Sequence, residues 1–403
     1  MTKSLSLEPL NQLLSDTQQP ICAYYYDLDA LAERTKRIVS QLPKQVRFYY
    51  AIKANSDLPV LSTLAPHIFG FEVASLGEVT NAREAAADAP IAFGGPSKTN
   101  PELEGALLAG VELYHIESAF QLARLSALAA THGRSVNVLL RVNPRFELPD
   151  ATLQMAGKPT QFGIDQLQID DILASRDQFE HVNIIGFHFH ALSNNLNAAS
   201  HLKLVETYLQ TCGSWQETHR LDIKLINVGG GIGIDYSAAD THFDWGAYCS
   251  GLQTLLDNAL PQGVEIAMEC GRFVTADCGI YLTEVVDIKQ NHDQHFAVLR
   301  GGTHQFRLPA SWQHNHPFHV VKRDQWDYPY PRPHITQDAV TLCGELCTPK
   351  DVLARNVMIG ELRVGDLVVF DKAGAYGWHI SHHDFLSHPH PDRYYMRNGC
   401  LFS

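Results

Sequence analysis

The sequence predicts an α/β fold, a (β/α)8 barrel followed by a C-terminal β domain, on three observations. From about Ile21 to Gly271 short apolar runs alternate with amphipathic segments, as parallel strand and helix units do. Eight or so such units fill roughly 250 residues, the usual size of that barrel. After Gly271 the pattern changes to strands separated by loops rich in Pro, His and Gly. A doubly wound sheet is the competing arrangement for the first part, and spacing alone does not separate the two.

The strand candidates, in order, are ICAYYY, VRFYYAIK, IFGFEVAS, IAFGG, ELYHI, NVLLRVN, NIIGFHFHA, KLINVGGG and EIAMECGR. Helical stretches lie between them, for example LGEVTNAREAAAD and ESAFQLARLSALAATHG, the latter ending in a glycine stop. Beyond Gly271, IYLTEVVDIKQ, HFAVLRGG, DAVTLCGELC and DLVVFDKAGAY read as strands. The segment Gly301 to His334 has little periodicity and reads as a long functional loop. The expected division is an N-terminal segment, 1–25, packing on the C-terminal domain, a barrel over 26–273, and a β domain over 274–403.

A chain of 403 residues is too long for one ordinary core. Its 31 Lys and Arg against 44 Asp and Glu give a net charge of −13, and no long basic run is present. That composition argues against nucleic acid and anionic membrane as partners and leaves a soluble small-molecule enzyme. The N-terminus lacks a secretory apolar core, and no segment reaches the roughly 18 apolar residues of a membrane span, so a cytoplasmic protein is expected. Eight scattered cysteines without CxxC spacing suggest free thiols in a reducing compartment.

Within FYYAIKANSDLPVL, Lys53 interrupts an apolar run. Asn55, Ser56 and Asp57 make a turn and Pro59 suits a first helical turn, so Lys53 is expected at the C-terminal end of a strand. There it either reaches solvent or is held in a pocket for chemistry. Gly229, Gly230 and Gly231 follow a strand directly and can bring backbone N–H groups to a phosphate, or simply make a tight turn. MECGR adds Gly271, flanked by Glu269 and Arg272, and in a barrel all these loops open on the face that carries Lys53. His188 and His190, two apart on a strand, point to one face. Such a pair can ligate a metal, as in metal-dependent hydrolases, which makes a second function class. Alternatively one is packed and hydrogen-bonded while the other faces the cavity; no convincing third ligand is in place, and no metal is expected. Together, a lysine, a glycine-rich phosphate loop, a stacking histidine and an acid on strand ends are what pyridoxal 5′-phosphate requires.

YYAIKAN, GFEVASLGE, GFHFHALS, NVGGG, MECGR, CGELCTPKD and AGAY, in this order, resemble the fold-type III pyridoxal-phosphate decarboxylases, the ornithine and diaminopimelate decarboxylase group. The likeness runs from about Tyr24 to Tyr376. It implies an alanine racemase-like (β/α)8 barrel, a C-terminal β-barrel domain, and a head-to-tail homodimer with shared active sites. By the resemblance Lys53 is the Schiff-base lysine, His190 stacks on the cofactor ring, and Glu269 pairs with its pyridine nitrogen. Ser193, Gly230, Gly231, Gly271, Arg272 and Tyr376 match the phosphate-binding set, Arg141 lies near the ring hydroxyl, and Cys347 arrives from the partner subunit.

The departures bear on substrate. Thr348 stands where amine-product decarboxylases carry an acid that receives a distal ammonium, Leu308 with Arg307 before it replaces an arginine before proline, Gln161 replaces the usual lysine, and Cys270 replaces a proline. GFHFHALSNNLNA with GGTHQFRLPASWQHNHP is most similar to the branch that works in carboxylate siderophore assembly on citryl-amino acids such as citryl-serine or citryl-diaminopropionate. A diaminopimelate or other diamino-acid decarboxylase is the alternative. The distal group is expected to meet His304, Arg307, His314, His316 and Thr348.

Overall fold

The computed structural model describes residues 5, 7–10, 19–148, 153–237 and 241–403. Much of the expected N-terminal segment, 1–25, therefore lies outside the described residues. The chain divides into two compact units, one made of Ala32–Ile234 and Thr241–Val274, the other of Met1–Leu31, Asp235–Asp240 and Thr275–Ser403.

The first unit is a closed barrel of eight parallel strands: Val46–Ala51, Gly70–Val73, Ile91–Phe93, Leu113–Ile116, Val136–Asn143, Val182–Phe189, Leu225–Asn227 and Glu265–Cys270. Each pairs with the next in sequence, and the eighth pairs back on the first with Glu269 opposite Tyr49. That closure excludes the doubly wound sheet. The chain turns sharply at the strand ends because capping residues stand there. Ser75 accepts the Glu78 N–H, Thr99 and Glu102 form a reciprocal capping box, Ser118 accepts the Gln121 N–H, and Asn197 and Asp244 start the helices Ala198–His219 and Trp245–Ala259. Tyr49, Ala92, Leu113, Leu139, Leu225 and Ala267, from six different strands, form one buried cluster, so the interior is packed and function is left to the strand ends.

One of the nine strand candidates belongs elsewhere. Cys22–Asp27 is in the second unit, antiparallel to Gly279–Asn291 and parallel to Asp392–Arg397. A continuous apolar run buried on both faces reads alike as a barrel strand or as the centre of another sheet, which is why the pattern misled. Its Tyr24 hydroxyl donates to the Gln305 carbonyl at 2.8 Å. Around it Leu10, Ile21, Tyr25, Ile280, Leu282 and Val369 pack as a core, with Leu5 and Leu7 against them. Among the described residues Cys22–Asp27 is one of nine strands in the second unit's sheet, in which Phe318–Val321 pairs antiparallel with Leu367–Phe370. The expected long loop thus holds the strand Phe318–Val321 and the short helix Leu308–Trp312, with Pro309 in its first turn. Among the described residues no helix is long and apolar enough to cross a membrane, and none of the eight cysteines is in a disulfide.

The helix Ala198–His219 buries His201 against Phe243 and Tyr248, with no hydrogen-bond partner among the described residues for either ring nitrogen. Burial pushes its pKa down to about 4. The unfolded chain takes up that proton near 6.5 and the folded chain does not, so stability is fully present above 6.5 and is lost as pH falls toward 4. The loss by pH 5 is about 2 kcal/mol. His201→Phe is therefore expected to be less acid-sensitive by that amount, read as the change in urea midpoint between pH 8 and pH 5. An equal drop for both proteins would assign the acid sensitivity to other groups.

Candidate active site

The first barrel strand ends at Ala51 and runs into a tight helical turn, Ile52–Ala54, which carries Lys53 two residues beyond the strand. The Lys53 ammonium pairs with the Glu72 carboxylate at 2.7 Å; the lysine side chain is 39% exposed and the glutamate 6%, so the amine is anchored yet accessible. Burial pushes the Glu72 carboxyl above the usual carboxylate range, against the opposing pull of Lys53. Glu72 was not singled out from the sequence, although an acid inside GFEVAS carries the same signal as a lysine inside YYAIK.

Arg141, on the fifth strand, donates to Glu117 at 2.8 Å and lies over the Phe162 ring at 4.9 Å. The other Glu117 oxygen accepts the Gly163 N–H at 2.9 Å. Lys98 is buried beside them, held by the Gly95 carbonyl at 2.5 Å and the His115 carbonyl at 2.8 Å, and burial lowers its pKa to about 8.

Glu269, on the eighth strand, is almost fully buried. Asn227 Nδ2 donates to its Oε1 at 2.6 Å, His188 Nε2 lies 3.2 Å from Oε2, and His115 Nδ1 lies 3.5 Å from Oε1. His190 Nδ1 accepts the Gly230 N–H at 3.3 Å, and its ring lies nearly parallel to that of His188, with centroids 6.4 Å apart. His190 keeps part of its surface exposed, but desolvation, with Lys53 and Arg141 nearby, holds it well below the ordinary histidine range. His188 and His190 thus have different hydrogen-bond partners, the Glu269 carboxylate and the Gly230 N–H. His115, His188 and Glu269 do bring one ligand atom each within 4.8 Å of one another, but Arg141, Lys53 and Lys98 all act on His188 and oppose a divalent cation.

Backbone approach is tight where the sequence is glycine. Gly229 and Gly231 have φ of 69° and 86°, and a Cβ on Gly230 would collide with the Glu269 carbonyl. A Cβ on Gly271 would lie 2.7 Å from that of Ala54, so the turn bearing Gly271 and the buried Arg272 sits against the turn bearing Lys53. Ser193 is half-buried in the short strand Leu192–Ser193.

In the second unit Tyr376 is held at φ 53°, a left-handed conformation that a bulky residue adopts only under constraint. A cavity of about 890 Å³ is lined by Arg307, His314, Thr348, Lys350, Arg355 and His382 among others, with no Asp or Glu on its wall. Arg307, Lys350 and Arg355 have no ion-pair partner among the described residues. Desolvation and the nearby Arg307 hold His382 below the ordinary histidine range. Cys347 is exposed between Leu346 and Thr348, which both line the cavity. His304 and His316 do not line it. His304 is fully buried, with Nε2 3.3 Å from a Glu345 oxygen that Arg300 also binds. His316 lies behind His314, at 3.0 Å, with its other nitrogen 2.7 Å from the Asp371 carbonyl. Lys350 and His382 were missed because spacing in irregular segments does not give side-chain direction, and Arg355 because the strand Val352–Arg363 that carries it was not read from the sequence.

The family described as "Pyridoxal-dependent decarboxylase, pyridoxal binding domain" matches residues 28–276. The Staphylococcus aureus 2-((L-alanin-3-ylcarbamoyl)methyl)-2-hydroxybutanedioate decarboxylase is 44% identical over 97% of this chain and 98% of its own. The diaminopimelate decarboxylase of Bacteroides thetaiotaomicron is 28% identical over 88% of this chain and 90% of its own. The crystal structure of the Helicobacter pylori diaminopimelate decarboxylase with L-lysine shares the fold, with a TM-score of 0.85 at 23% identity over 97% of this chain and 95% of that one.

Proposed function

Since this chain belongs to the pyridoxal-dependent decarboxylase family, we propose that it removes the α-carboxylate of a citryl-amino acid, citryl-diaminopropionate or citryl-serine, in carboxylate siderophore assembly. It is a pyridoxal 5′-phosphate-dependent carboxy-lyase. The observation that carries the substrate reading is the cavity of about 890 Å³ with three permanent cations and no carboxylate on its wall. By its name, the substrate of the Staphylococcus aureus relative has an α-amino acid at one end and a hydroxybutanedioate with two carboxylates at the other. Arg307, Lys350 and Arg355 suit that second end, with Thr348 and His314 as neutral hydrogen-bonding groups. A free diamino acid brings an ammonium instead, which these cations repel and Thr348 cannot pair. The metal-hydrolase reading gains no support from the relatives, which are decarboxylases.

The barrel residues suit the cofactor. Lys53 would bind its carbonyl carbon, Glu269 would face the ring nitrogen, His190 would cover the ring, and Arg141 would stand near the ring hydroxyl. Ser193, Gly230, Gly231, Gly271 and Arg272 would hold the phosphate, where glycine turns without room for a Cβ leave backbone N–H groups approachable. When bound, the cofactor supplies the electron sink for the pair left on Cα as CO2 departs. Glu72 holds the Lys53 Nζ in place and, with a carboxyl raised by burial, is a ready acceptor for the proton the amine must lose. The partially exposed Lys53 leaves room for a substrate amine to approach. We read the enzyme as a cytoplasmic homodimer in which Cys347 of the partner subunit returns a proton to Cα; its exposed position beside the cationic cavity supports that reading.

CO2 release should be compared across ornithine, lysine, diaminopimelate, citryl-serine and citryl-diaminopropionate. A citryl conjugate is expected to exceed every free diamino acid by about 100-fold in kcat/KM, and Arg355→Glu to remove about as much while leaving the cofactor spectrum unchanged. A free diamino acid that wins widely would overturn the citryl reading and leave the decarboxylase standing.

A further inference from the structure

The reading of Glu269 as the partner of the cofactor's ring nitrogen is the premise here, and the surroundings of that carboxylate carry it further. An ionised carboxylate offers about four lone-pair sites. The neighbours of Glu269 fix how those sites are used, because each neighbour's own hydrogen bonding is determined by another contact.

Asn227 is oriented by the backbone: its Oδ1 accepts the Gly229 N–H at 2.9 Å, so its Nδ2 must point the opposite way. One Nδ2 hydrogen goes to Glu269 Oε1 at 2.6 Å and the other toward His115 Nε2 at 3.4 Å. His115 Nε2 is therefore an acceptor. A neutral His115 then carries its proton on Nδ1, which lies 3.5 Å from the same Oε1 without a hydrogen bond to it. On the other side His188 Nε2, at 3.2 Å, is a donor to Oε2, and its Nδ1 has no partner among the described residues. The two rings stack with centroids 4.1 Å apart and planes 17° apart, so neither can rotate alone. Burial holds both histidines well below the ordinary range and keeps them neutral.

We infer that Asn227, His115 and His188 are positioning residues: Asn227 and His188 each place a neutral donor on one oxygen of Glu269, His115 steadies both of them, and Oε2 keeps an acceptor site for the protonated ring nitrogen. Neutral donors orient the carboxylate without cancelling its charge, as a cation in the same place would. The signal in the sequence is polar residues on three barrel strands, Asn227, His115 and His188, inside runs otherwise apolar. Two of them bind one carboxylate and the third packs on both, which explains why they are there.

The test uses holoenzyme of wild type, Glu269→Gln, His188→Phe, His188→Gln and Asn227→Leu, and the doubles of the last three with Glu269→Gln. The readouts are the visible absorption band of the bound cofactor across pH, cofactor retention, and kcat and KM separately. His188→Phe and Asn227→Leu are expected to shift the band in the sense of Glu269→Gln and to lower kcat about tenfold with KM within about twofold. His188→Gln, which keeps a donor, should recover most of both. The doubles should lose nothing beyond Glu269→Gln alone, because the clamp acts through that residue. Losses that add, or a fall in kcat with an unmoved band, would overturn the inference. If Asn227→Leu does not fold, the contrast between His188→Phe and His188→Gln decides. A Glu269→Gln enzyme with an unaltered band and rate would instead remove the premise, and the inference with it.

Discussion

Replacing Lys53 by alanine is expected to abolish turnover and the visible absorption band that the cofactor acquires when held by the enzyme. Lysine supplies the only side-chain amine able to bind the cofactor's carbonyl, and losing a covalent nucleophile lowers kcat by at least about 10^4. The neighbouring buried lysine does not substitute, since Lys98 Nζ is held by the Gly95 and His115 carbonyls. Nor should the barrel unfold. Glu72 loses its partner, but burial already pushes its carboxyl up, so it can take a proton and remain as a neutral acid. Lys53→Arg separates the two roles, because it keeps a cation for Glu72 without an amine that condenses with a carbonyl. Both variants should be folded and inactive. A normal cofactor band in either would sink the assignment of Lys53.

The barrel was legible because eight repeats of one strand-and-helix pattern reinforce one another, and a wrong reading of any single run does little harm. ICAYYY shows the limit, since burial on both faces erases the periodicity that would assign a strand to its sheet. The site was legible where chemistry departs from local pattern, as Lys53 does. Glu72, His115, Glu117 and Asn227 depart from pattern too, yet each partner lies far along the chain: Lys53 and Glu72 are 19 residues apart, His188 and Glu269 are 81. Only the closed ring of strands brings such residues to one carboxylate. Direction was the other missing quantity. His304 and Arg307 lie three residues apart in the same stretch, yet one is buried against Glu345 and the other lines the cavity. A segment without regular period gives no rule for which way either side chain turns.

Mixing two inactive chains should produce an active enzyme. If the working site takes Lys53 from one subunit and Cys347 from the other, a Lys53→Ala chain beside a Cys347→Ala chain has one intact site and one doubly damaged site. Random exchange makes half of the dimers mixed, so total turnover should return to about a quarter of wild type. The unmixed variants stay near zero, which makes the recovery a large signal on a low background. Exposure of Cys347 on its own chain favours this arrangement, because a thiol that protonates Cα must be shielded from water when it reacts, and a second subunit can provide that cover. Exchange is verified by co-purification of differently tagged chains. Recovery only at tag-verified mixing would also locate the cationic cavity, since Leu346 and Thr348 line it on either side of Cys347 and must accompany the thiol into the shared site. Verified mixed dimers without turnover would mean that both residues serve one chain's site, or that Cys347 is not the proton donor and Cys347→Ala failed for another reason; a Cys347→Ser chain that stays as active as wild type alone would decide for the latter.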